Sequence, residues 1–338
     1  MLFMIGNGFD LAMGLKTSYR DFINWYITQK EEPENERISS FKNTIQSDIE
    51  TNINSWADLE IKLGEYTAEY GDDGAEDFLF VYRDMKEKLN DYIKNQEAMV
   101  DLSNEAAIKK ELTQFFLSFY NRFPTNTKSS FKSILEGHNG SVPYHFLSYN
   151  YTHTLENCLD ILPKPLRKRG NYEDKIGRIV HIHGEIDKSP LIGVDSENQI
   201  LNEAFKSDVG ILRALVKPRM NEEMQENTAK TAFDLINGSN IICLFGVSLG
   251  NSDISWWKIL GEWLKANDGR KLVIFWYSKE PLSSLHYDIK LTREDNVKKH
   301  FIKQAGFTDD DFAKVGSRIT VHIYSNIFSM KLLPEETL

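Results

Sequence analysis

Cysteine is scarce: in 338 residues the thiols are Cys158 and Cys243 alone. Two cysteines so far apart build neither a disulfide framework nor a zinc cluster, and folds that depend on either are excluded. Long apolar runs are missing as well. No stretch approaches the ~20 residues needed to cross a bilayer as a helix, so a soluble chain is expected. Basic charge is in deficit, with 40 Lys and Arg against 50 Asp and Glu and a formal net charge of -10. Such a balance argues against broad electrostatic capture of nucleic acid. The local basic cluster Lys164 to Arg169, within KPLRKRGN, reads as a solvated loop. Strand-like residues from Leu2 onward leave no room for a charged leader, and the cytoplasm is the expected compartment.

What remains is a chain long enough for one large core, or for a core with an inserted subdomain. Its first residues, MLFMIGNGFDLAMG, form a short apolar run that breaks into Gly6-Asn7-Gly8 and then Asp10. Later apolar runs have strand length: Tyr144 to Tyr149, Arg178 to Ile182, Asn240 to Phe245, Lys271 to Tyr277 and Arg318 to Tyr324. Near-continuous apolar character marks strands covered on both faces. Helical patterns at Asn221 to Ile236 and Asp253 to Lys265 fall between them, which predicts an α/β fold with a Rossmann-like, mostly parallel sheet. From Leu15 to Gly137 the period is helical throughout. Phe78, Tyr82, Met85, Leu89 and Tyr92 form one stripe, and Ile108, Leu112, Phe115, Phe119 and Phe123 another. Both read as helix-helix core rather than as a base-stacking surface. The expected division is a nucleotide-binding core of residues 1–14 and 138–338 and a helical insertion of residues 15–137.

A strand ending in Gly-x-Gly before a helix suits phosphate, because it exposes backbone N–H groups and a helix N-terminus. The dehydrogenase fingerprint is nevertheless incomplete: Leu11 stands at the third glycine, and no strand-end acid follows about twenty residues on. Three further loops follow predicted strands, where an open α/β sheet binds its ligands. In SYNYTHTLE, Asn150 offers both donor and acceptor to a ribose hydroxyl or a water, while Asn150 or Thr152 equally fits a helix cap. In HIHGE, His181 and His183 lie two apart on one expected strand face, and Gly184 opens space beside the ring. In LFGVSLGNSD, Gly246 and Gly250 flank Ser248, and Asp253 stands where an acid favours a helix start.

The last loop also satisfies G-x-S-x-G, the nucleophile elbow of serine hydrolases. That chemistry needs an acid and a histidine downstream; His286, His300 and His322 are available, but few strands remain after the elbow and no HGGG-type loop appears. The His181-x-His183 pair lacks further ligands at a recognisable spacing, so no metal is expected.

Taken in order, IGNGFDLAMGLKTSY, FLSYNYTHTLE, HIHG and FGVSLGNSD resemble the bacteriophage abortive-infection AbiH family, as does the WADLE stretch from Trp56 to Glu60. More distantly, the same loops resemble those of sirtuin-like domains. That resemblance implies a sirtuin-like fold with NAD as substrate or ligand. Gly6 and Gly8, with Asn7 between them, would hold the dinucleotide phosphates. Asn150 would hold the nicotinamide-side ribose or the attacking water, and His183 would be the base. Gly246 and Ser248 would meet the adenosine side. Beside the resemblance, Asp10 suits either a ribose hydroxyl or a helix cap, and with Thr152, Gly184 and Asp253 it completes the expected ligand-binding set. Asn7 stands where sirtuins carry a small residue, Thr152 replaces an aspartate, and the zinc cysteines of deacylases are absent, so protein deacylation is not expected. The resemblance implies antiphage defence by NAD hydrolysis at the nicotinamide-ribose bond, or alternatively a sensor of an ADP-ribose-type nucleotide. Expected partners are the nucleotide, a phage-derived trigger and a second copy of the chain, with no membrane and no nucleic acid.

Overall fold

The computed structural model describes residues 1–30, 33–51, 58–188, 190–223, 227–280 and 287–333. Strand β1 (Leu2–Ile5) is followed by the short helix α1 (Gly8–Ala12) and then by α2 (Tyr19–Tyr26), α3 (Glu36–Thr51), α4 (Leu59–Tyr66), α5 (Ala75–Ala98), α6 (Glu105–Ser118) and α7 (Thr125–Glu136). The chain continues through β2 (Pro143–Ser148), α8 (Thr154–Ile161), β3 (Arg167–Arg169), β4 (Tyr172–His181), α9 (Val209–Leu215), α10 (Lys217–Glu223) and α11 (Thr228–Asn237). Strand β5 (Ile241–Phe245), α12 (Ile254–Lys265), β6 (Lys271–Tyr277), α13 (Tyr287–Gln304), α14 (Asp309–Val315) and β7 (Ile319–Tyr324) complete it.

Seven strands form one sheet in the order β3-β4-β2-β1-β5-β6-β7, parallel throughout except for the β3–β4 edge pair. Counted over its parallel strands, the order is 3-2-1-4-5-6, that of doubly wound dinucleotide-binding sheets, with the switch point between β1 and β5. Side chains alternate between faces. Phe3, Ile5, Phe146, Phe245 and Phe275 pack against Phe115, Phe116 and Phe119, whereas Leu2, Met4, Leu147, Leu244 and Ile274 pack beneath Trp257, Leu260, Trp263 and Phe301. Both faces are therefore dry, which is why the strands read as unbroken apolar runs.

The two helical stripes go to different cores. Phe78, Tyr82, Met85, Leu89 and Tyr92 form helix-helix core with α2, α3, α4 and the segment from Ile186 to Val216. Phe115 and Phe119 cover the sheet, and Phe119 and Phe123 also meet Phe131 of α7, so the second stripe packs on strands as well as on helices. The basic cluster is not a solvated loop throughout. Arg167 and Arg169 lie in β3, with their guanidinium groups 2.7 and 2.8 Å from the fully buried carboxylate of Asp174. Lys168 faces solvent beside Glu173. Strand β4 begins at Tyr172, earlier than the apolar run, because its first half is a polar edge ribbon. The helix expected over Asn221 to Ile236 crosses residues 224–226, and Trp56, Ala57 and His286 lie outside the described residues.

Strand register decides where the loops meet. Ile5 pairs with Ser148 and Phe245, and Ser148 pairs with His181, so four parallel strands end side by side. Everything that follows those residues converges at one edge of the sheet.

Candidate functional site

A cavity of about 670 Å³ opens at that edge. Gly6, Asn7, Gly8, Asp10, Asn150, Thr152, His183, Gly246, Ser248 and Asp253 all line it; Gly184 is not among its lining residues. Gly184 takes φ +73°, which turns the chain directly after His183.

The glycines at the mouth let two loops touch. Gly6 N donates to Phe245 O and Gly8 N to Gly246 O, each at 2.9 Å. A Cβ on Gly8 would fall 2.5 Å from the Gly246 Cα, and Gly246 itself has φ +72°. These two N–H groups are thus engaged within the fold. The Asn7 side chain is also engaged, donating to Thr17 O at 2.8 Å and accepting from Thr17 Oγ1 at 2.6 Å.

Asp10 is buried, and its carboxylate accepts from Asn150 Nδ2 at 3.1 Å and from Thr152 Oγ1 at 2.7 Å. Burial pushes this carboxyl up to about 7, against the two hydrogen bonds, with Glu97 and Glu156 adding repulsion. Asn150 and Thr152 therefore serve as partners of an acid, and neither caps α8, whose N-cap is His153.

The two histidines part company. His181 ends β4, and beyond it the alternation of a strand no longer holds. Its Nδ1 donates to Asn150 O at 2.7 Å and its Nε2 lies 2.5 Å from Glu156 Oε1. Burial opposes the imidazolium, but Glu156 outweighs it and holds His181 above the ordinary histidine value. His183 faces the cavity, with its ring edge-on to Tyr149 and Nε2 2.8 Å from Asp253 Oδ1. The shared face expected for the pair is not present.

Behind His183 lies a buried ionic network. Lys217 Nζ donates to Glu60 Oε2 and to Asp253 Oδ1, at 2.9 Å each. All three carboxyl and ammonium groups sit in low-dielectric surroundings, where isolated charges are expensive and paired ones persist. Burial works against the Asp253 anion, yet Lys217 and then His183 hold its carboxyl well below the usual range. Burial likewise opposes the Lys217 ammonium, which Asp253 and Glu60 hold well above the ordinary lysine value. Burial pushes Glu60 upward despite Lys217. Because ionised Asp253 only accepts, His183 Nε2 donates to it, which leaves Nδ1 outside that contact.

Ser248 does not fit the elbow. It is exposed, among the described residues it is hydrogen-bonded to no histidine, and the positive φ falls on Leu249 at 54°. Glu60 and Lys217 were missed by motif reading. Glu60 lies in WADLE, while Lys217 carries no local sign beyond the proline that follows it.

Fold and site together define an α/β protein with a seven-stranded, mostly parallel sheet and a ligand-sized crevice at the strand ends. Within that class the chain belongs to the bacteriophage abortive infection AbiH family, which it matches over residues 2–276. Membership implies a role in abortive infection of phage-attacked cells. None of the curated proteins matches this chain. Among the described residues no helix is long and apolar enough to cross a membrane.

Proposed function

We propose that the crevice binds NAD or a related nucleotide and hydrolyses its nicotinamide-ribose bond, as the effector step of the defence. The observation that carries this reading is that Asn150 and His183 line one cavity at the switch point of a sheet with dinucleotide-binding strand order. In this reading the core is sirtuin-like and the helices between β1 and β2 are an addition to it.

Cleavage passes through an oxocarbenium-like state, and nicotinamide leaves neutral from a pyridinium, so no strong general acid is needed. A positioned water and a base suffice. His183, oriented by Asp253, takes the proton of that water on Nδ1, and Asn150 holds the water or the adjacent sugar. The wall beside His183 carries Asp58, Glu60 and Asp253 against the ammonium of Lys217, an excess of carboxyl groups that would favour a cationic ring before cleavage and a cationic sugar during it. The Gly6 to Gly8 and Gly246 to Ser248 loops, packed against each other, form the stretch of wall along which the sugar-phosphate spine would run.

The test incubates purified protein with NAD, NADP and ADP-ribose, with mass detection of nicotinamide and thermal shifts in parallel. Release that falls on the order of 100-fold or more in folded His183→Ala and Asn150→Ala is expected. A thermal shift without turnover, even when phage components are added, would replace the hydrolase by a nucleotide sensor. Neither signal would end the nucleotide reading.

A further inference from the structure

The crevice contains a polar atom that the fold leaves unsatisfied. Asn150 is 4% exposed, and among the described residues its Oδ1 has no hydrogen-bond partner. Its main chain is pinned on both sides, with N donating to Ser148 Oγ at 3.2 Å and O accepting from His181 Nδ1 at 2.7 Å. Its Nδ2 donates to Asp10 Oδ1, while Thr152 Oγ1 donates to the other oxygen of the same carboxylate. Above its value of about 7 the Asp10 carboxylate is ionised and has nothing to donate, so it accepts one end of an amide and repels the other. The NH2 group must face Asp10, and the carbonyl oxygen must face away from it. An orphaned buried acceptor costs about 1–3 kcal/mol, which a ligand can recover by donating to it.

We propose that Asp10 is a positioning residue: it holds the Asn150 amide as an acceptor alone, so that this point of the crevice takes a hydrogen-bond donor and rejects an acceptor. A water or a sugar hydroxyl meets that demand, whereas an ionised phosphate oxygen does not. The phosphates of a nucleotide are therefore placed away from Asn150, and the hydroxyl-bearing or water-bearing end beside it. The identity of the donor rests on the nucleotide reading above; the orientation of the amide does not. Titratable groups facing Asp10 are Glu97 from α5 and Glu156 and Cys158 from α8, with His181 of β4 bound to Glu156.

Two measurements test this in the full-length protein. The first follows the Asn150 side-chain NH2 resonances in ¹⁵N-labelled protein, assigned by their loss in Asn150→Asp. Under the proposal they are protected and titrate with Asp10 near its value of about 7, and Asp10→Asn abolishes that titration. Resonances indifferent to both pH and Asp10→Asn would overturn it. The second compares NAD turnover in wild type, Asn150→Asp and the exchanged double variant Asp10→Asn/Asn150→Asp, each checked for folding. Asn150→Asp alone sets two carboxyls against each other and loses on the order of 100-fold. In the exchanged pair the new amide at position 10 donates to the carboxylate at 150, whose other oxygen again faces the crevice as an acceptor. Recovery of about tenfold or more is expected, a gain that a merely structural Asp10 would not give. A double variant no better than the single, with both folded, overturns the proposal. If wild type neither binds nor cleaves NAD, the functional reading fails, and the NMR titration still decides the orientation of Asn150.

Discussion

Asp10 stores free energy in a form that pH can reveal. Its carboxyl is fully enclosed and pushed up to about 7, from an ordinary value of 3.8. The folded state therefore binds this proton more tightly than the unfolded chain. The contribution to stability is complete below pH 3.8 and is lost as pH rises through about 7. Asparagine at this position has no proton to lose. Between pH 4 and pH 8 the stability difference between wild type and Asp10→Asn should thus move in favour of the variant by on the order of 3 kcal/mol. Urea unfolding at several pH values measures it. A difference that stays flat would mean that Asp10 keeps an ordinary carboxyl, and that the crevice is wetter than its burial indicates.

At the scale of elements, the contact between the loop after β1 and the loop after β5 sets the shape of the cavity mouth. Gly246 at φ +72° would place a Cβ 2.7 Å from Phe9 N, backbone that has no freedom to retreat. Gly246→Ala should therefore cost about 2–4 kcal/mol, combining left-handed strain with overpacking. Gly250→Ala is the contrast: its nearest contacts, at 3.2 Å, are the ends of the Asp58 and Ser248 side chains. A cost under about 1 kcal/mol is expected there. Equal losses by denaturant unfolding would show that loop flexibility, and not close approach, governs both positions.

The same scale shows what was legible in the sequence. Strands β1, β2, β5, β6 and β7 announce themselves because both of their faces are dry, and the loops behind them could be located from the strand ends alone. Strand β3 and the first half of β4 do not, since an exposed edge ribbon held by Arg167, Arg169 and Asp174 has the composition of a loop. His181 and His183 were paired by strand alternation, a rule that stops where the strand stops.

Across the whole molecule, local pattern gives out altogether. Lys217 and Glu60 are 157 residues apart in sequence and 2.9 Å apart in space, and nothing at either position foretells the other. Their link has a structural task as well as an electrostatic one. Glu60 rides on α4, whose Leu59 and Leu63 belong to the helical core, whereas Asp253 and His183 belong to loops of the sheet. Lys217 bridges the two bodies at the wall of the crevice. Removing it leaves two buried carboxylates with no cation, so Lys217→Met should destabilise the protein by about 3–5 kcal/mol. Glu60→Gln in the Lys217→Met background removes one of the stranded charges. The double variant should therefore be more stable than Lys217→Met alone, by about 1–3 kcal/mol. Chemical unfolding of the four proteins in this cycle supplies the comparison. Additive losses would show that water reaches the pair and that the two bodies are joined by apolar packing alone. Coupling would instead make the ionic joint a shared support, through which a change in the packing of the helical body alters the charge beside His183.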